Sequence, residues 1–133
     1  MLSAYNLRGE VINIEPTKII LIEVGREIVL PAELQGYPVQ RISAVRNVDV
    51  REFPVLARQI ASAIETTPPD EEIVVIPSGP LTVMILWAMK VGLYRRITVG
   101  QWNGAEYDFI NIHPSIARDF FSVGGARTAP STD

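Results

Sequence analysis

Three residues that suit phosphate binding follow the most compact apolar run of the sequence. The run covers residues 73–76, and its β-branched side chains predict a strand buried on both faces. It is followed by Ser78, Gly79 and Pro80, and proline is favoured in the first turn of a helix. A loop at a helix N-terminus offers free backbone N–H groups and the positive end of the helix dipole, which together bind phosphate. A tight strand-to-helix turn without a ligand explains the same three residues equally well.

Arg46 and Asn47 follow a candidate strand over residues 39–45. Because ligands of parallel sheets bind beyond the carboxyl ends of the strands, these side chains would contact a phosphate or a ribose at the edge that also holds Ser78. The alternative is an exposed loop in which Asn47 serves only as a turn former.

An aromatic residue is predicted between two further strands. Gln101, Trp102 and Asn103 follow a strand predicted over 96–99, and a strand over 106–112 completes a hairpin. Trp102 would stack on a nucleic-acid base, a contact worth about 1–3 kcal/mol, while its two neighbours would hydrogen-bond the base edge. Alternatively, Asn103 shapes the turn together with the glycine after it, a role that leaves Trp102 free to stack.

His113 is the single histidine of the sequence and follows the last predicted strand. Its side chain titrates near neutral pH, as a general acid or base must, but the favoured interpretation is a strand-end residue before Pro114 without a catalytic role. The sequence has no cysteine and no second histidine, so neither a metal site nor thiol catalysis is predicted. No cofactor is predicted either.

These residues are placed by an alternation of predicted strands and helices, which is typical of an α/β domain. Three N-terminal strands are predicted to form a β-meander or hairpin pattern, over residues 8–14, 19–22 and 27–30. Apolar residues recur at helical spacing over 53–64, and residues 81–91 are predicted to form a helix that is apolar almost all round. We expect one Rossmann-like domain over residues 1–121, with a mostly parallel sheet and flanking helices. Residues 122–133, rich in small and polar side chains, are expected to form a disordered tail.

The composition limits the partners. The 133 residues include 12 basic and 15 acidic side chains, a net charge of −3, which argues against binding to duplex DNA because that needs a basic face. A small anionic ligand in a local pocket stays compatible with this charge. No signal peptide is predicted, and no apolar run reaches the roughly 20 residues of a membrane span. We therefore expect a cytoplasmic protein without a membrane partner.

The stretch VVIPSGPLTVMILWAMKVGLYRRITVGQWNGAEY, residues 74–107, resembles nucleotide-second-messenger domains of prokaryotic antiviral defence. These are the CRISPR-associated Rossmann-fold (CARF) domains and the related SAVED sensor domains. The shared pattern is a strand, a Gly-Pro loop, an apolar helix that ends in glycine, a strand and a polar-aromatic turn. The predicted strands over 8–30 depart from a minimal half of that fold.

The resemblance implies that the chain binds a cyclic oligonucleotide, with cyclic oligoadenylate as the leading candidate, in antiviral CRISPR signalling. It would act as a sensor, a sponge or a ring nuclease. Ring opening by attack of the ligand's 2′-hydroxyl needs geometry and charge stabilisation more than a dedicated base, so catalytic residues are not assigned. The predicted ligand-binding residues are Arg46, Asn47, Ser78, Gly79, Pro80, Gln101, Trp102 and Asn103.

The predicted apolar helix over 81–91 also indicates that the chain forms an oligomer. One of its faces would cover the sheet, and a second apolar face would stay bare in a monomer. A two-fold homodimer or a higher homo-oligomer would bury that face, and the ligand would then bind at the homodimer interface. The alternative function is that of a non-enzymatic assembly or adaptor module, in which the same helix docks a partner protein.

Overall fold

Seven strands form one mixed β-sheet in the computed structural model, which describes residues 1–25, 27–44, 53–78 and 95–116. The strands are β1 (Leu2–Asn6), β2 (Val11–Ile14), β3 (Pro16–Val24), β4 (Val39–Ala44), β5 (Glu72–Pro77), β6 (Ile97–Trp102) and β7 (Tyr107–Ile112). A 3-10 helix (Ala32–Leu34) lies between β3 and β4, and the helix α1 (Phe53–Glu65) lies between β4 and β5.

The sheet has a parallel half and a mixed half. Its strand order is β2-β1-β7-β6-β5-β3-β4. The neighbours from β6 to β4 all run parallel, whereas β6–β7 and β1–β2 are antiparallel and β1–β7 is parallel. The coarse α/β prediction is therefore confirmed, while the mostly parallel character extends over only part of the sheet.

The helix α1 covers one face of the parallel half. Pro54 lies in its first turn, where a backbone N–H group would have no partner within the helix, so the missing N–H of proline costs nothing. Leu56, Ile60 and Ile64 recur at helical spacing and are buried, as the sequence predicts. They pack on a cluster of strand residues, all with β-branched side chains: Ile20, Ile22, Ile73, Val75, Ile97 and Val99.

The opposite face carries a second apolar cluster. The β1–β2 hairpin contributes Leu2, Ala4 and Ile14 to it, and the connection from β3 to β4 contributes Ile28 and Leu34. The other members come from β3, β5 and β7: Ile19, Leu21, Val74, Ile76 and Phe109. Because both faces of β3 and β5 are covered, these strands are continuous apolar runs rather than alternating ones.

The link between β2 and β3 shows that the sheet curls. The two strands are five places apart in the sheet order, yet only Glu15 separates them in the chain. Consecutive Cα atoms are about 3.8 Å apart, so Ile14 and Pro16 lie within about 7.6 Å of each other. In a flat sheet with a strand spacing of about 4.8 Å, five places would span about 24 Å. The sheet therefore bends until the β1–β2 hairpin lies over the face of β3.

The predicted N-terminal meander is wrong. β3 does not pair with β2 but lies between β5 and β4, parallel to both. Residues 27–30 form no strand, and β1, which the sequence analysis does not predict, pairs with both β2 and β7. The predicted apolar helix over 81–91 and the predicted tail over 122–133 lie outside the described residues.

Candidate functional site

A groove of about 490 Å³ lies between the β6–β7 turn and the segment that follows β3. One wall consists of residues 27–33, and the other consists of Trp102 and residues 105–107. β3, β5 and β6 run parallel, so β3 and β6 bring these walls to the edge where their carboxyl ends meet. Ligands of α/β sheets bind at this edge, which makes the groove the candidate site of the described chain.

An aromatic corner forms the hairpin wall of the groove. Trp102 pairs with Tyr107 across the two strands, and their ring centroids lie 5.1 Å apart with the ring planes at 65°. Tyr107 in turn stacks on Phe109, with a centroid distance of 6.3 Å. Trp102 remains 49% exposed, so the corner is anchored to the core at Phe109 and open to a ligand at Trp102.

Asn103 holds the turn that follows Trp102. Its side-chain Oδ1 accepts hydrogen bonds from the backbone N–H groups of Ala105 and Glu106, both at 2.9 Å, and its Nδ2 donates to Asp108 at 3.2 Å. Gly104 has φ +105°, a conformation that favours glycine. The structure thus gives Asn103 the turn-forming role that was the alternative to base contact.

The other predicted residue of this turn points away from the groove. Gln101 precedes Trp102 in β6, and successive side chains of a strand project to opposite faces. Gln101 is half-buried on the face that carries α1. Of the three residues predicted there, Trp102 alone lines the groove.

A buried carboxylate fixes the opposite wall. Glu23 accepts hydrogen bonds from the backbone N–H of Ile28 at 2.7 Å, from the Arg41 guanidinium at 2.6 Å and from the Ser43 hydroxyl at 3.0 Å. Arg41 also donates to the carbonyl oxygen of Ile28 at 3.2 Å. Burial alone would raise the pKa of Glu23, but the hydrogen bonds and the Arg41 charge outweigh it and lower this pKa below its ordinary value. Glu23 is therefore a charged anchor for the groove wall.

The groove is acidic. Glu27, Glu33 and Glu106 line it, and none of the described residues that line it is basic. Within the described part of the chain these three carboxylates have neither a hydrogen bond nor an ion pair. Sequence reasoning missed them because they come from separate segments, and no local pattern connects them. Their charge favours hydrogen-bond donors and cations in the groove and disfavours phosphate.

Ser78 lies at the same edge of the sheet but is buried in it. Its hydroxyl accepts the N–H of Val24 at 3.0 Å and donates to the carbonyl oxygen of Ile22 at 3.2 Å. Its backbone N–H also donates to Ile22, at 2.8 Å. Ser78 therefore joins the end of β5 to the end of β3. Gly79, Pro80, Arg46 and Asn47, the other predicted ligand contacts, lie outside the described residues.

A second groove, of about 500 Å³, lies between β4 and α1. Its described lining includes Arg58 and Arg41 and no acidic residue, but the Arg41 guanidinium is already bound to Glu23 and to the carbonyl oxygen of Ile28. In the described ranges Arg58 forms no ion pair. The exposed polar side chains around it belong to Gln40, Gln59 and Ser62. Among the described residues, Arg58 is therefore the cation that this groove offers to a ligand.

Two further polar residues have structural contacts. Arg95 is 7% exposed and donates to backbone carbonyl oxygens at the end of α1 and beyond: those of Ile64, Thr67, Pro68, Glu71 and Arg96. The Nδ1 atom of His113 accepts the backbone N–H of Ser115 at 3.2 Å, a local contact at the strand end. Over the described residues, no group of three or more His, Asp or Glu side chains is placed to hold a metal ion.

Comparison with protein-family models, with curated proteins and with solved structures finds no match for the chain. In the described ranges, no helix has the length and apolar character that a membrane crossing requires.

Proposed function

We propose that the chain binds a cyclic oligonucleotide second messenger, with cyclic oligoadenylate as the leading candidate, and that one base stacks on Trp102. The observation that carries the proposal is the half-exposed Trp102 in a groove at the carboxyl edge of the parallel strands. Aromatic side chains at such positions stack on unpaired bases, whose faces are all acceptable partners. The volume of the groove falls in the range of small-molecule sites, about 300–1,000 Å³.

The charge of the groove determines how such a ligand would sit. Three carboxylates line the groove, so a base enters it while the phosphates stay outside. In this proposal the phosphates are bound by the loop of Ser78, Gly79 and Pro80, with Arg46 and Asn47 beside it, as the sequence suggests, while the Ser78 hydroxyl keeps its contacts within the sheet. A Rossmann-like, CARF-like domain that forms a homodimer would present each of these loops twice, which matches a ligand with two-fold symmetry.

The role in antiviral signalling follows from the proposed ligand. A chain that binds and releases the ligand is a sensor, one that retains it is a sponge, and one that opens the ring is a ring nuclease. Ring opening would use the ligand's own 2′-hydroxyl as nucleophile, without a metal ion. The 2′-oxygen bonds to the adjacent phosphorus while the in-line bond to the 5′-oxygen of the next nucleotide breaks, which leaves a 2′,3′-cyclic phosphate and a 5′-hydroxyl that takes up a proton in place of the one lost by the 2′-hydroxyl. Separation of the nucleotide products after incubation distinguishes the ring nuclease from the other two.

Tryptophan fluorescence tests the binding proposal directly. The sequence has two tryptophans, so a Trp87→Phe variant reports on Trp102 alone. Titration with cyclic oligoadenylates of several ring sizes should quench or shift this emission. In the full chain, Trp102→Ala should weaken binding by about 1–3 kcal/mol, measured by calorimetry. A Trp102→Ala variant that keeps its fold and binds with unchanged affinity would remove the groove from the site.

One observation favours docking of a protein chain as a second candidate function. Val11, Tyr5 and Ile110 are partners in register across β2, β1 and β7, and their side chains are 62%, 49% and 37% exposed. An apolar row across three strands is the kind of surface that a protein partner or a second copy covers. Light scattering at micromolar concentration tests self-association. A dimer that dissociates in Tyr5→Glu but not in Ser3→Glu would assign the row to the dimer interface.

A further inference from the structure

The two walls of the acidic groove carry acceptors that a base edge would meet. Glu106 belongs to the turn that follows Trp102, so its carboxylate lies on the hairpin wall. Glu27 and Glu33 lie on the opposite wall, which the Glu23 contact with Ile28 holds in place. A base stacked on Trp102 therefore lies between two walls that carry carboxylates, and none of these has an ion pair with another described residue.

From this arrangement, and resting on the proposed function, we infer that the groove selects bases with an exocyclic amino group and rejects bases with an oxo group at that position. An ionised carboxylate is a hydrogen-bond acceptor only. The 6-amino group of adenine donates to it and forms a charge-assisted hydrogen bond. The 6-oxo group of hypoxanthine presents lone pairs to the same oxygen atoms, so neither group is satisfied and the two repel each other.

The size of the groove favours a base over a small cation. Carboxylates beside an aromatic corner also suit a guanidinium or ammonium group. A volume of about 490 Å³, however, exceeds what one such group fills. Trp102 is 49% exposed in this groove, so its ring system has surface available to a flat partner. We therefore assign the groove to an amino-bearing base, and binding of an arginine-containing peptide becomes an outcome of the test.

Neutral nucleosides carry no phosphate, so their affinities report on binding of the base and the ribose without the phosphates. The test titrates adenosine, purine riboside and inosine into the Trp87→Phe chain and follows the emission of Trp102. Adenosine should bind about tenfold more tightly than inosine, the ratio that corresponds to one charge-assisted hydrogen bond. Purine riboside, which lacks the 6-substituent, should fall between them because it loses the hydrogen bond without adding repulsion.

Substitutions of the groove glutamates test whether their carboxylates form the hydrogen bonds that distinguish adenosine from inosine. A glutamine amide donates as well as accepts, so the double variant Glu33→Gln/Glu106→Gln should bind inosine more tightly and reduce the adenosine preference to about twofold or less. Glu65→Gln removes one carboxylate charge from an exposed position on α1 and should leave the preference unchanged. If the double variant keeps the full preference, the carboxylates do not read the base edge and the inference fails.

The failures of the inference and of the proposed function are distinguishable. Equal affinities for adenosine and inosine, with quenching of Trp102 by both, would overturn the amino selectivity and leave base binding intact. If neither nucleosides nor cyclic oligonucleotides change the Trp102 emission, while a short arginine-containing peptide does, both the inference and the proposed function are overturned.

Discussion

The carboxylate of Glu23, in a central strand, accepts a hydrogen bond of 2.7 Å from the backbone N–H of Ile28, in the wall of the acidic groove. The contact is buried, and Arg41 binds both partners, the carboxylate of Glu23 and the carbonyl oxygen of Ile28. The shape of the groove therefore depends on the charge state of a residue that does not line it.

This dependence predicts an acid-sensitive fold. The pKa of Glu23 is lowered from its ordinary value of 4.5, so the folded state binds fewer protons than the unfolded state in the window below that value. The stabilisation is present above about pH 4.5 and is lost as the pH falls through the folded-state pKa. The free energy of unfolding of the parent should therefore fall more steeply from about pH 5 to about pH 3 than that of Glu23→Gln. Parallel curves would contradict the assigned role.

Arg95 should be a large contributor to stability. Its buried guanidinium donates to five backbone carbonyl oxygens, and Arg95→Met would leave several of them without a donor. We expect a loss of about 2–4 kcal/mol in the free energy of unfolding, measured in urea. Arg96→Met is the control, because its half-exposed ion pair with Glu72 should be worth less than about 1 kcal/mol. Similar losses in the two variants would argue against the carbonyl contacts.

Gly100 should not tolerate a side chain. A Cβ atom at this position would lie 2.9 Å from Cγ1 of Ile76 and 2.9 Å from Cε1 of Phe109, closer than carbon atoms pack. Gly100→Ala should therefore cost about 1–3 kcal/mol by overpacking. Adding Phe109→Leu removes one of the clashing atoms, so the double variant should be more stable than the sum of the single effects predicts. Additive effects in urea unfolding would show that the two positions do not crowd each other.

Ser78→Ala separates a structural role of this serine from a ligand contact. The substitution leaves the buried N–H of Val24 without the hydroxyl that it contacts at 3.0 Å, a loss of about 1–3 kcal/mol. The melting temperature should fall by the same amount with and without a cyclic oligonucleotide. A variant that melts like the parent alone, yet loses the ligand-induced shift, would instead assign Ser78 to the phosphate site.

Local sequence signals correctly predicted α1, β5 and the β6–β7 hairpin. Each depends on a pattern within a few residues, such as the spacing of Leu56, Ile60 and Ile64. Strand pairing over long distances could not be derived in this way. Residues 27–30 have the composition of a strand, but the N–H of Ile28 is bound by the side chain of Glu23 instead of a neighbouring strand.

The candidate site was predictable only at Trp102. Its position at the end of β6 follows from the hairpin pattern, and its exposure makes it available to a ligand. Glu33 and Glu106 reach the same groove only because the connection after β3 crosses the face that carries Tyr107. That meeting depends on the strand order, which no short stretch of sequence encodes.

The pairing of β1 with β7 has a consequence for folding during synthesis on the ribosome. Tyr5 is synthesised about 105 residues before its partner Ile110. Contacts of such sequence separation form slowly because a long loop must be closed first. The edge of β1 that pairs with β7 therefore stays open until β7 has been synthesised, and in that interval aggregation through the open edge competes with folding.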